Sequence, residues 1–74
     1  MPPIKDFGAF WIVMYFHDHN PPHVHVVSAD FEALVSIADC LVFRGSIPSK
    51  FRRLALDWIE ENREALLAKW EQLQ

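Results

Sequence analysis

Two periodicities divide this chain. Before Gly45 the apolar residues come in short runs broken by turn residues; after Pro48 they recur at helical spacing. Residues 9–16 read Ala-Phe-Trp-Ile-Val-Met-Tyr-Phe, aromatic and β-branched with no polar alternation. Such a run predicts a strand covered on both faces. Asn20-Pro21-Pro22 then breaks the pattern. Proline lacks a backbone donor and pushes its predecessor toward extended geometry, so this segment is predicted to be a loop. Residues 23–28 resume as a second strand. Residues 31–37 alternate, with Phe31, Ala33, Val35 and Ile37 on one face and Glu32, Leu34 and Ser36 on the other. That pattern predicts a half-buried strand. Residues 40–44 form a short fourth candidate strand. Short connections between consecutive strands favour an antiparallel meander.

The period then changes. Pro48 suits a first helical position, and no Gly or Pro follows it. Phe51, Leu54, Ala55, Trp58, Ile59, Leu66, Trp70 and Leu73 make one apolar stripe. Asn62 falls on that stripe. A straight helix of about 26 residues would extend ~39 Å, longer than the sheet it must cover, so a break is expected near Asn62. The expected fold class is α+β: a small antiparallel β-meander of three or four strands packed against a C-terminal helical segment. Residues 1–74 are expected to form a single domain.

Composition narrows the function classes. The chain is 51% hydrophobic, 14% aromatic and 23% charged, a globular balance. So many aromatic residues in so small a core leave some for the surface or for a partner. Formal net charge is −3, which does not favour a nucleic-acid partner, because phosphate binding usually goes with basic excess. The single cysteine, Cys40, has no partner for an internal disulfide. The apolar run at residues 9–16 is too short to span a bilayer. The expected location is cytoplasmic, with no membrane partner.

All four histidines, His17, His19, His23 and His25, lie between positions 17 and 25. Neutral imidazole is a common metal ligand and titrates near neutrality. Strand residues two apart share a face. If the two flanking strands pair across the loop, His19 lies near His23 and His17 near His25, with opposed Cβ atoms ~5 Å apart. The same geometry turns Asp18 to the other face and makes it a poor ligand. It puts Ile12, Met14, Phe16, Val24 and Val26 on the side facing the helix.

Three readings follow. Three histidines with an open position would suit catalytic zinc; four would close a structural site. Glu32 is a candidate outer carboxylate for such a site. Alternatively, two histidines could move protons without a metal, as in RNA cleavage, or the patch could be a pH-sensitive interaction surface. A purely architectural role stays open, because the spacing is not a strong zinc signature and has neither a helical His-Glu-x-x-His nor a cysteine pair. Arg52 and Arg53, with Lys50 and Arg44 nearby, surround the helix start, where a phosphate could be held; a solvated helix face is the plainer reading.

The segment Asp18-His19-Asn20-Pro21-Pro22-His23-Val24-His25 resembles the domain of unknown function 4160 family, small prokaryotic proteins. The likeness runs nearly end to end, through Met14-Tyr15-Phe16, Gly45-Ser46-Ile47-Pro48 and Leu66-Leu67-Ala68-Lys69-Trp70-Glu71. It carries His19, His23 and His25 as the motif histidines and leaves His17 as a departure. The resemblance implies membership of compact two-gene, toxin–antitoxin-like modules. The expectation is therefore a small interaction protein with a small neighbour-encoded partner, a homo-oligomer, or both. Its histidine patch, His19, His23 and His25, is suited to Zn or another divalent metal. The alternative is a ribonuclease-like toxin with those histidines as acid and base and Arg52 or Arg53 holding phosphate.

Overall fold

The computed structural model describes residues 3–74. One antiparallel sheet carries five strands in sequence order: β1 (Lys5–Asp6), β2 (Trp11–Val13), β3 (His23–Val27), β4 (Glu32–Ser36) and β5 (Val42–Gly45). Two helices follow, α1 (Ser49–Glu61) and α2 (Arg63–Leu73). The class is α+β as expected, but three or four strands is corrected to five. The added strand is β1. Its two exposed residues carry no alternation to read. Local hydrogen bonds shape the turn behind it: the Gly8 amide donates to Asp6 Oδ1 at 2.7 Å, and the Phe7 amide donates to the Phe10 carbonyl at 2.9 Å.

β2 is shorter than the apolar run that contains it. The chain leaves the sheet after Val13. Met14 is still buried, but Tyr15 and Phe16 are exposed. His17 then takes a left-handed conformation, φ 54°. Phe16 therefore does not join the core face. The pairing register is Trp11 with Val27, Ile12 with Val26 and Val13 with His25. This overturns the expected pairing of His17 with His25 and of His19 with His23. The strands are not extended far enough to bring those residues opposite each other.

The core sits on one face of the sheet. Ile12, Val24, Val26, Ala33 and Val35 are fully buried there with Phe10 and Ile37. Ala55 and Ile59 from α1, and Leu66 and Trp70 from α2, complete the cluster. Leu54, placed on the apolar stripe by spacing, is exposed. Cys40 is half-buried in the turn before β5.

The helices break at Asn62, where φ is −108° and ψ 18°. Its backbone and side-chain N–H groups both donate to the Trp58 carbonyl, at 3.1 and 2.9 Å. Arg63 then ties the break to the sheet, donating through Nε to the Ile37 carbonyl at 3.0 Å. The bend lets α2 run toward the loop before β3. There the His17 amide donates to the Leu73 carbonyl at 3.2 Å. Among the described residues no helix is long and apolar enough to cross a membrane.

Candidate metal centre

The face of β3 turned away from the core carries His23 and His25. Because β2 ends early, residues 17–22 form an excursion rather than a paired strand, and the Asn20–Pro21 bond within it is cis. The excursion carries Asp18 back over β3. One carboxylate oxygen, Asp18 Oδ2, lies 3.0 Å from His23 Nε2 and 3.1 Å from His25 Nε2. The three ligand atoms all fall within 4.8 Å of one another. The other oxygen, Oδ1, accepts the backbone N–H of His19 at 2.9 Å. One Asp18 oxygen is thus anchored and the other faces two imidazoles.

The outer contacts set which nitrogen of each ring carries a proton. His23 Nδ1 is 2.8 Å from the Pro21 carbonyl. A carbonyl only accepts, so Nδ1 donates, and the neutral ring presents a lone pair at Nε2. That nitrogen is buried and has no aligned hydrogen-bond partner among the described residues, although Asp18 Oδ2 is close. The distance alone would suggest an ion pair; the alignment, which a hydrogen bond requires, is missing. His25 lies between two carboxylates, with Nδ1 3.0 Å from Glu32 Oε2 and Nε2 hydrogen-bonded to Asp18 Oδ2 at 3.1 Å. A cation at Nε2 would take the place of the proton there while Nδ1 still donates to Glu32. Metal-binding histidines are held in this way, by a carbonyl or carboxylate on the far nitrogen.

The rings are also packed in place. His23 is 4% exposed, with Trp70 5.2 Å and Phe43 5.5 Å from it between ring centroids. Tyr15 lies edge-on to His25 at 4.5 Å. Trp70 reaches His23 because the break at Asn62 brings α2 to this end of the sheet. Burial pushes the Asp18 carboxyl up, but the hydrogen bond from His25, the His19 amide and the charges that His23 and His25 carry when protonated outweigh it. The result lies below the ordinary value of 3.8.

The chain matches the family model described as a domain of unknown function (DUF4160) over residues 9–71. It is a member of that family. No curated protein and no solved structure gave a match.

In this DUF4160 member the structure brings His23 and His25 together and leaves the other motif histidine, His19, outside the ligand cluster. His19 is exposed; it lines the same depression and contributes its backbone amide rather than its ring. His17 is exposed and is itself the residue in the left-handed conformation. Asp18 takes the third position. An ideal strand through residue 19 would turn Asp18 to the other face, but β2 ends at Val13. The prolines were the available signal, since a loop does not preserve alternation. Arg52 and Arg53 line a separate shallow depression with Ser49 and Asp57. Arg52 is already engaged there, donating to the Ile47 carbonyl at 3.3 Å. The cation beside the histidines is Arg44.

Proposed function

We propose that this protein binds a divalent first-row metal ion through Asp18 Oδ2, His23 Nε2 and His25 Nε2, with at least one coordination position open toward the depression. The orphaned Nε2 of His23 carries this reading. A buried nitrogen lone pair facing a carboxylate is unfavourable alone, and a cation between them satisfies both. Two imidazoles and one carboxylate suit zinc with a fourth position for water, or iron(II) with more. Asp18 Oδ2 stands 3.0 and 3.1 Å from the two nitrogens, close to the ~3 Å spacing between ligands that bonds of ~2.0–2.1 Å require. An open position makes hydrolytic or redox chemistry accessible, where a closed set would be structural.

The interaction role in a toxin–antitoxin-like pair remains part of this proposal, with the metal centre as its chemical element. Its support is the set of large apolar side chains left exposed at Phe16, Leu41 and Phe43. The metal-free ribonuclease reading has weaker support, because Arg52 and Arg53 stand at a different depression from the histidines.

The test is zinc binding by tag-free protein, by calorimetry and by metal content after dialysis. One ion per chain is expected. Asp18→Ala, His23→Ala and His25→Ala should each lose more than the ~10–100-fold that an outer partner is worth. Glu32→Gln should fall within that range. His19→Ala and His17→Ala should bind as the parent does. Loss of zinc in His19→Ala with retention in Asp18→Ala would overturn the ligand set. No binding by the folded parent would overturn the metal site itself.

A further inference from the structure

The depression beside the three ligands ends on a cation, Arg44, that is in no ion pair among the described residues. On the open face one cross-strand row runs Val13, His25, Leu34, Arg44. Arg44 is thus two strands from His25, with Leu34 between them. Neighbouring strands are ~4.8 Å apart, so the His25 and Arg44 backbones stand about 10 Å apart. An extended arginine and a small bridging ligand together span that gap. Arg44 lines one depression of about 630 Å³ with Asp18, His23, His25 and Phe43. It is exposed, and among the described residues the ion pairs present are all between histidine and Asp18 or Glu32.

The charges make this cation conditional. Asp18 and Glu32 bring two negative charges and Arg44 brings one positive, so the metal-free site is net negative and repels anions. A divalent ion reverses that sign. A guanidinium is a planar fork for two oxygens. A ligand that also reaches the metal needs a third oxygen pointing elsewhere. A phosphoryl group has three free oxygens. A carboxylate has two and cannot fill the fork and the metal position together.

We infer that the metal-loaded site binds a phosphate monoester or free phosphate, with one oxygen on the metal and two on the Arg44 fork. This rests on the metal site proposed above. Leu34 and the exposed Phe43 give the depression an apolar flank for the group esterified to the phosphate. The bound species carries the negative charge that the loaded site lacks.

Cobalt(II)-loaded protein tests this, because its visible spectrum reports a new ligand on the metal. Inorganic phosphate and phenyl phosphate should each change the spectrum saturably, and acetate should need at least ~10-fold higher concentration. Arg44→Gln should bind cobalt as the parent does but lose phosphate affinity by about 10-fold or more. Arg44→Lys, which keeps the charge without the fork, should recover part of it. Metal-free protein should give no phosphate heat by calorimetry. Equal phosphate affinity in the parent and Arg44→Gln would overturn the inference while leaving the metal site standing, as would phosphate binding without metal. Acetate matching phosphate would overturn the assignment to phosphate. Failure to bind cobalt at all would remove the metal site and this inference with it.

Discussion

The two faces of this sheet follow different rules. The helix-covered face is built by alternation: Val24 and Val26 on β3 and Ala33 and Val35 on β4 are all fully buried. Every second residue points inward, and α1 and α2 close over them. The open face carries the residues between those positions, His23, His25, Leu34 and Arg44. Its chemistry depends on something alternation does not encode, the excursion at residues 17–22 that returns Asp18 to β3. One face is specified by period; the other is assembled by a loop and by the end of a bent helix.

That contrast predicts a separation of stability from metal binding. The largest effect should come from Ile59→Ala. Ile59 is fully buried beneath the sheet, and deleting such a side chain costs ~2–5 kcal/mol including the cavity left behind. Urea unfolding should show this as a lower midpoint with an unchanged slope. Zinc affinity of the folded fraction should stay at the parent value. His25→Ala should do the reverse: about 1 kcal/mol of stability from lost side-chain hydrogen bonds, and loss of zinc binding. Loss of zinc affinity in folded Ile59→Ala, or a stability loss in metal-free His25→Ala as large as that of Ile59→Ala, would show that the two faces are not separable.

A second change should couple the faces. Gly45 closes β5 with φ 71°, and a Cβ there would collide with the Glu32 carbonyl oxygen. Only glycine meets both conditions without strain. Gly45→Ala should therefore cost about 1–3 kcal/mol and displace the backbone that holds Glu32. Glu32 orients the His25 ring from Nδ1, so zinc affinity should fall as well, by less than in His25→Ala. Thermal unfolding with and without zinc, set beside calorimetry, separates the two effects. An unchanged zinc affinity would show that Glu32 does not orient the ring.

What could be read in advance follows the same division. The half-buried alternation at Glu32–Ser36, the helical spacing after Pro48 and the break at Asn62 were all legible, because each is a local pattern with a physical period. β1 was not, since two exposed residues paired by backbone hydrogen bonds leave no hydrophobic trace. The site was half legible. His23 and His25 share a face by simple alternation, and Glu32 was a candidate outer carboxylate. Asp18 and His19 exchanged roles because their placement depends on where β2 stops and on the left-handed turn at His17. Those are properties of this segment's tertiary anchoring to the end of α2, where the His17 amide donates to the Leu73 carbonyl and Gln74 Nε2 donates to the Tyr15 carbonyl, and no short window contains them.

The smallest predicted effect tests whether Asp18 belongs to the open face energetically as well as geometrically. Its carboxyl lies below 3.8 in the folded chain. A depressed folded value means that the ionised form is stabilised by folding. The contribution is therefore fully present above 3.8 and is lost as pH falls through the lower folded value. In metal-free protein, stability should fall more steeply with acid below that point than in Asp18→Asn, which has no proton to take up there. Parallel curves would mean that the carboxylate gains nothing from the two imidazoles. With zinc bound, the loss should begin at higher pH, because protons then compete with the metal for the ligand nitrogens of His23 and His25 as well as for Asp18. The gap between the metal-free and zinc-loaded curves would then measure the coupling of Asp18 and the two histidines through one ion.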